Sequence, residues 1–130
     1  TYASLDDLLT QSDYVALNVP LTDETRNMIG RDQLHKMKKT SFLVNLARGG
    51  VVNHDALLEA LQNDWIAGAA LDVTEPEPLP RDHPLLKLKN VIIAPHLGSA
   101  THQTRLGMAQ RTVDNLIAGL EDNPLLSRIA

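Results

Sequence analysis

Residues suited to acid–base and anion-binding chemistry follow the four apolar segments of this sequence, at the points where those segments end. Arg48 follows the second segment, Glu77 comes shortly after the third, and His96 follows the fourth. A guanidinium binds a carboxylate through two parallel hydrogen bonds, and an imidazole exchanges a proton near neutral pH. Together with a carboxylate that orients the imidazole, these groups can bind an anionic substrate and move a proton.

Each of these residues also has a simpler interpretation when it is considered alone. Arg48 can be an ordinary loop cation, Glu77 a solvated loop residue between two prolines, and His96 a hydrogen-bonded structural histidine. Asp72, directly after the third segment, can cap a strand end, and Gly98 can be part of a simple turn before a helix. In open parallel sheets, however, ligands bind beyond the carboxyl ends of the strands. The shared placement of these side chains therefore favours a functional site.

The four apolar segments that position these residues are predicted to be strands, namely Tyr14–Val19, Ser41–Leu46, Ile66–Leu71 and Val91–Ala94. Apolar periodicity and capping residues predict helices that begin after Ser4, run over Gly30–Met37, follow Asn53 to about Asn63, and span Thr101–Leu120. Apolar strands that alternate with helices indicate parallel pairing with both faces covered. We therefore expect a single α/β domain with a sheet of about four parallel strands and helices on both faces.

Two further groups of residues receive structural rather than functional predictions. The last helix is expected to have an inward apolar face, formed by Leu106, Ala109, Val113, Leu116, Ile117 and Leu120. The remaining histidines are expected at the surface, and they are His35, His54, His83 and His102. No spacing of histidines and carboxylates resembles a metal site, so we expect no metal.

The composition narrows the possible functions. The chain has 130 residues, of which 43% are hydrophobic, so it can form a substantial core, and its net charge of −4 argues against a nucleic-acid partner. No apolar run approaches the roughly 20 residues of a membrane span, so no membrane partner is expected. The absence of cysteine excludes disulfides and thiolate catalysis and favours a cytoplasmic location. No G-x-G-x-x-G turn occurs, so the pyrophosphate-binding half of a dinucleotide fold is expected outside this chain.

Four ordered motifs resemble those of the D-isomer-specific 2-hydroxyacid dehydrogenases. Asn45–Val52 resembles the family's N-x-x-R-G-x-x-V signature, and Gly68–Pro78 resembles its G-x-x-L-D-V-x-x-x-E-P segment. Asn90–Thr101 is similar to N-V-x-x-x-P-H-x-G-S-x-T, and Val19–Thr25 to V-P-L-T-x-x-T. Within the family, the chain is most similar to glyoxylate/hydroxypyruvate reductases and 2-ketogluconate reductases. The resemblance covers essentially the whole chain.

The resemblance implies a function and a role for each matching position. It implies hydride transfer between NAD or NADP and a small 2-keto or 2-hydroxy acid. His96 would be the general acid, Glu77 would orient its imidazole, and Arg48 would bind the substrate and polarise its carbonyl. The implied catalytic residues are thus Arg48, Glu77 and His96, and the implied cofactor-binding residues are Pro20, Leu46, Arg48, Asp72, His96 and Gly98.

The resemblance also implies a structural context. Residues 1–130 would be the C-terminal part of the NAD(P)-binding domain, a Rossmann-like three-layer domain that holds the second half of a doubly wound sheet. Residues 121–130 would pack on a substrate domain outside this chain, and the complete parent protein would be a homodimer. The isolated fragment is expected to be inactive.

Other functions remain open at this point. A corepressor-type scaffold of the same family and a folded, inactive half-domain are alternatives to an enzyme. Within the enzymes, oxidation of formate or phosphite is possible, although the combination of Arg48, Glu77 and His96 favours keto acids over formate.

Overall fold

The computed structural model describes residues 2–128, and four short strands and four α-helices make up its regular structure. The strands are β1 (Tyr14–Leu17), β2 (Phe42–Asn45), β3 (Gly68–Leu71) and β4 (Val91–Ile93). The helices are α1 (Leu5–Gln11), α2 (Arg31–Lys36), α3 (His54–Gln62) and α4 (His102–Leu120). Two 3₁₀ turns, Gly49–Val51 and Pro84–Lys87, lie between them. Each predicted element is present; β1, β2 and β4 end one to two residues earlier than predicted, and β3 begins two residues later but ends at Leu71 as predicted.

All four strands form one parallel sheet in the order β1-β2-β3-β4. The register aligns Leu17 with Asn45, Asn45 with Leu71, and Leu71 with Ile93. The carboxyl ends of the strands therefore lie level along one edge. This confirms the predicted Rossmann-like arrangement of about four parallel strands, and it places the loops that follow β1, β2 and β3 side by side.

The core lies on one face of this sheet. Val15, Leu43 and Leu71 alternate along their strands with residues of the other face, and they pack with Leu34 of α2 and Leu57 of α3 in one buried cluster. Burial of such apolar side chains is the main favourable term in folding, at about 25 cal/mol for each Å² removed from water.

Residues on the opposite face of the sheet are exposed in the described part of the chain, Tyr14 by 71% and Ile92 by 73%. Tyr14 stacks on Phe42 of the neighbouring strand, with ring centroids 5.5 Å apart. The strand order follows the chain order without reversal, so right-handed crossovers all pass on the same side. The expectation of helices on both faces therefore needs correction: in the unit that ends at Pro95, helices cover one face.

The residues from His96 onward form a second compact unit that contains α4. Thr101 caps this helix by accepting a hydrogen bond from the Thr104 backbone N–H at 3.1 Å. The predicted inward face is wrong for this chain, because no residue of α4 is buried and Leu106 and Leu120 are 72% and 77% exposed. A helical repeat determines which residues share a stripe, but it does not supply the surface that covers them.

The C-terminal tail was expected to pack on another domain, and its described part, residues 121–128, contacts α4. The Ser127 backbone N–H donates to Asn115 Oδ1 at 3.0 Å, and the Leu125 side chain lies near Gly119. Residues 129 and 130 lie outside the described part of the chain. In residues 2–128, no helix combines the length and the apolar character needed to cross a membrane.

His54 departs from its predicted surface position. It opens α3 directly after the cap Asn53, whose side chain accepts from the Ala56 backbone N–H at 2.9 Å. His54 Nδ1 lies 3.2 Å from the Val52 carbonyl, and its Nε2 is buried without a hydrogen-bond partner among the described residues. Burial lowers the pKa of His54, and the nearby His83 lowers it further, whereas the contact with the Val52 carbonyl raises it.

This burial predicts a pH dependence of stability. The unfolded chain takes up a proton at the ordinary histidine pKa of about 6.5, whereas folded His54 takes it up only at lower pH. Acidification through and below pH 6.5 should therefore lower the free energy of unfolding, and above that pH the contribution of neutral His54 is complete. Urea denaturation at a series of pH values should show that acidification lowers the free energy of unfolding less in His54→Asn than in the wild type. His35→Asn, at an exposed histidine, is the control and should keep the wild-type loss; an equal loss in all three proteins would contradict the prediction.

Candidate active site

A cleft of about 610 Å³ opens at the carboxyl ends of β1 and β2. Two loops line it, and their residues are Asn18, Val19, Pro20, Leu21, Leu46, Ala47 and Arg48. The structure thus brings together three residues that the sequence placed in one site, namely Pro20, Leu46 and Arg48. The volume is within the range of small-molecule sites, and its lining combines apolar walls with one guanidinium.

The wall formed by Pro20 is shaped by a compact turn. Thr25 Oγ1 donates to the Pro20 carbonyl at 2.6 Å and accepts from the Thr22 backbone N–H at 2.8 Å. A proline has no backbone N–H to contribute to a strand, so β1 stops before this loop. The threonines of the V-P-L-T-x-x-T stretch therefore hold Pro20 at the mouth of the cleft.

Asn45 determines the conformation of the loop that carries Arg48. This side chain is fully buried at the end of β2. Its Oδ1 accepts from the Ala47 backbone N–H at 3.0 Å, and its Nδ2 donates to the Arg48 carbonyl at 2.9 Å. The exposed Arg48 side chain in turn donates from Nη1 to the Ala47 carbonyl at 2.7 Å. Sequence reasoning did not assign a role to Asn45; its signal was a polar side chain at the end of an apolar strand.

The 3₁₀ turn after Arg48 packs directly on the loop after β3. A Cβ atom at Gly49 would lie 2.1 Å from both the carbonyl carbon and the oxygen of Thr74. Real Cβ atoms do not approach backbone so closely, so only glycine allows the two loops to touch here. The loops that carry Arg48 and Glu77 are therefore in backbone contact.

The loop after β3 contains the two predicted acidic residues of this unit. Asp72 is buried at the strand end, and its backbone N–H donates to the Asn45 carbonyl at 2.9 Å. Glu77 is exposed, and its Oε2 accepts from the Thr74 backbone N–H at 3.4 Å. Thr74 Oγ1 donates to the Pro76 carbonyl at 2.9 Å. Thr74 thus organises a short loop around the Glu77 carboxylate, in which the Glu75–Pro76 and Glu77–Pro78 peptide bonds are cis.

His96 and Gly98 belong to the second unit. His96 is exposed and has a φ of 55°, in the left-handed region that few residues other than glycine adopt. Gly98 lies in the turn before α4, in which the Ala100 backbone N–H donates to the Leu97 carbonyl at 2.9 Å. The predicted site residues are therefore divided between the units: Pro20, Leu46, Arg48, Asp72 and Glu77 lie in the first, and His96 and Gly98 lie in the second.

The donors and acceptors of the first unit fit part of a nicotinamide site. Pro20 and Leu46 offer apolar surface for a flat ring, and Asp72, one strand further along the same edge, is an acceptor suited to an amide. Arg48 offers the charge and the fork geometry that a carboxylate requires. Among residues 2–128, no group of three histidines and carboxylates is arranged to hold a metal ion.

The double hydrogen bond of Asn45 gives a test of how the Arg48 loop is held. Asn45→Ala leaves the Ala47 N–H and the Arg48 carbonyl without their partner, at a cost of about 1–3 kcal/mol in the free energy of unfolding. Asn45→Asp keeps the acceptor but loses the donor, so it should also destabilise. Chemical denaturation measures both changes. Asn123→Ala, at an exposed asparagine, should change stability by less than about 0.5 kcal/mol; an equally small effect at Asn45 would refute this account.

Comparison with known proteins finds a family-level match. Residues 1–98 match the family model described as "D-isomer specific 2-hydroxyacid dehydrogenase, NAD binding domain". The chain is 57% identical over 117 residues to a glyoxylate reductase from Korarchaeum cryptofilum, covering 90% of this chain and 35% of that protein. It is 60% identical over 116 residues to glyoxylate/hydroxypyruvate reductase B from Serratia proteamaculans, covering 89% and 36%. The chain thus spans about a third of the length of the curated relatives that it matches.

Solved structures show the same relationship in three dimensions. A D-isomer specific 2-hydroxyacid dehydrogenase from Lactobacillus delbrueckii, in its NAD-complexed form, is similar with a TM-score of 0.92 and 35% identity over all of this chain and 43% of its own. An NADPH-dependent glyoxylate/hydroxypyruvate reductase from Sinorhizobium meliloti, in complex with NADP and malonate, gives a TM-score of 0.92 at 37% identity and covers 98% of this chain and 40% of its own.

Proposed function

Since this chain belongs to the D-isomer-specific 2-hydroxyacid dehydrogenase family, we propose that it supplies the catalytic and nicotinamide-facing part of an oxidoreductase site for a small 2-keto acid. The observation that carries the proposal is the cleft lined by Pro20, Leu46 and Arg48 at the ends of β1 and β2. In domain terms, residues 1–130 are the C-terminal part of the NAD(P)-binding domain, and residues 121–130 meet a substrate domain.

The cofactor is NAD or NADP, which when bound supplies or accepts the hydride. Pro20 and Leu46 would form the apolar walls for its nicotinamide, and the Asp72 carboxylate would accept a hydrogen bond from its carboxamide. The family resemblance adds the backbone of Gly98 to the cofactor-binding residues. The G-x-G-x-x-G turn that would hold the pyrophosphate is not in this sequence, so that contact belongs to other residues of the complete protein.

Arg48 binds the substrate. Its guanidinium pairs with the carboxylate or the keto oxygen of the acid and draws electron density away from the carbonyl carbon, which favours attack by hydride. The hydrogen bonds of Asn45 to the Ala47 N–H and the Arg48 carbonyl fix the backbone that presents this guanidinium. The names of the relatives, glyoxylate and hydroxypyruvate reductases, support glyoxylate and hydroxypyruvate as substrates.

His96 donates the proton that the keto oxygen needs when the substrate is reduced, and it removes that proton in the reverse direction. The family resemblance assigns the orientation of this imidazole to Glu77. The left-handed backbone of His96 supports this assignment, because residues in sparsely populated backbone conformations cluster at functional sites. The family resemblance extends the proposal to a homodimer that works in the cytoplasm.

The role of Arg48 is tested in the complete natural protein that contains this chain. Arg48→Gln should lower kcat/KM for glyoxylate by about 10²–10³-fold, because the substrate loses its charged partner. Arg48→Lys should recover only part of the loss, since an ammonium lacks the planar fork. Oxidation of reduced nicotinamide cofactor, followed by its absorbance, measures the rates. Arg31→Gln, on α2, is the control; an unchanged kcat/KM in Arg48→Gln would rule out the assigned role.

The role of His96 is tested separately. His96→Asn should lower kcat by about 10²–10⁴-fold, the usual contribution of a general acid, and should leave the Kd of the cofactor within a few-fold of the wild type. Steady-state kinetics and cofactor fluorescence titration measure the two quantities. His102→Asn is the matched control on the same unit. If His96→Asn kept wild-type kcat, proton transfer would have to be assigned to another residue.

A further inference from the structure

An ion pair outside the predicted site joins the loop after β1 to the loop after β3. Arg26 Nη1 donates to Glu75 Oε1 at 3.0 Å and to Oε2 at 3.3 Å, across 49 positions of sequence. Both side chains are 49% exposed. Exposed ion pairs of this kind contribute little to global stability, so any importance of this pair must come from what it positions.

The pair passes directly over the turn that follows Arg48. A Cβ atom at Gly50 would lie 2.5 Å from Glu75 Oε2 and 3.0 Å from Arg26 Nη1. The same turn is held from the β1 side, because the Asn27 backbone N–H donates to the Gly50 carbonyl at 2.8 Å. The Gly49–Val51 turn thus lies between two segments of the chain. On one side are Arg26 and the backbone of Asn27, and on the other are Glu75 and the backbone of Thr74.

Two proposed functional residues lie immediately beside this arrangement. Arg48 precedes Gly49, whose backbone touches Thr74, the neighbour of Glu75. Glu77 follows Glu75 by two positions, and its carboxylate accepts from Thr74. Movement of Glu75 therefore changes the loop that presents Glu77, and it also changes the surface on which the Arg48 loop rests.

We propose that Arg26 and Glu75 are positioning residues, whose ion pair clamps the 74–77 loop onto the Gly49–Val51 turn and so fixes the relative placement of Arg48 and Glu77 for reaction. This inference rests on the proposed function of those two side chains. A displacement of about 1 Å at a reacting group can cost about 10²-fold in rate, so a weak ion pair can have a large kinetic effect.

The test uses the complete natural protein with Arg26→Gln, Glu75→Gln and the double variant. Each single variant should lower kcat/KM for glyoxylate about 10-fold, mainly through a higher KM, with an unchanged KM for the cofactor. The double variant should be no worse than either single variant, because each already breaks the same contact. Arg26→Lys keeps the charge and should recover most of the activity.

Gly50→Ala provides an independent route to the same result, because its methyl group displaces both charged ends and removes neither charge. It should reproduce the rise in KM. The matched control is the ion pair between Arg31 and Glu59, which joins α2 and α3 away from the strand ends and uses the same two residue types. Arg31→Gln and Glu59→Gln should leave the KM for glyoxylate unchanged, and thermal denaturation should give Tm values similar to those of the Arg26 and Glu75 variants.

The outcomes separate this proposal from the function on which it rests. If the wild-type protein reduces neither glyoxylate nor hydroxypyruvate with either cofactor, the proposed function fails. If the wild type is active and Arg26→Gln and Glu75→Gln keep its KM, the function stands and the positioning role is refuted. Additive losses in the double variant, or a fall in Tm well beyond that of the control pair, would also overturn it, because either result indicates a role other than a shared clamp.

Discussion

The contact between Gly49 and Thr74 is the constraint on which the strand-end loops depend. With a hypothetical Cβ only 2.1 Å from the Thr74 carbonyl group, no side chain can stand between the two backbones. Since the parallel register brings β2 and β3 to a common edge, the loops that leave these strands start side by side. The glycine allows them to stay in contact beyond the sheet, and this contact links the loop of Arg48 to the loop of Glu77.

Buried polar groups complete this arrangement. The Asn45 side chain is a fully buried amide, and burial without hydrogen-bond partners would be costly. Its Oδ1 and Nδ2 atoms both form hydrogen bonds with the backbone of the Arg48 loop. Leaving either bond unmade costs more than forming it gains, so the bonds specify one loop conformation. His54 shows the opposite case: its Nε2 is buried without a partner in the described chain, and the imidazole remains neutral more readily as a consequence.

The strand order explains why one face of the sheet is covered and the other is not. Because β1 to β4 are added in chain order, right-handed connections through α2 and α3 deliver both helices to the same side. Leu34 and Leu57 then join the buried residues of the strands, whereas Tyr14, Phe42 and Ile92 stay exposed. Four parallel strands with helices on one face match the second half of the doubly wound sheet of a Rossmann-like NAD-binding domain.

The sequence by itself determined the elements and the identity of the candidate residues. Strand positions, the caps Ser4 and Asn53, and the placement of Arg48, Asp72, Glu77 and His96 after strands all depend on local patterns, which hydrophobic period and capping chemistry report directly. Only the tertiary structure decided that α4 buries none of its apolar stripe, that His54 is partly buried, and that Arg26 meets Glu75. All three outcomes depend on which distant parts of the chain come together. A local pattern shows which side chains share a face, but it does not show what will lie against that face.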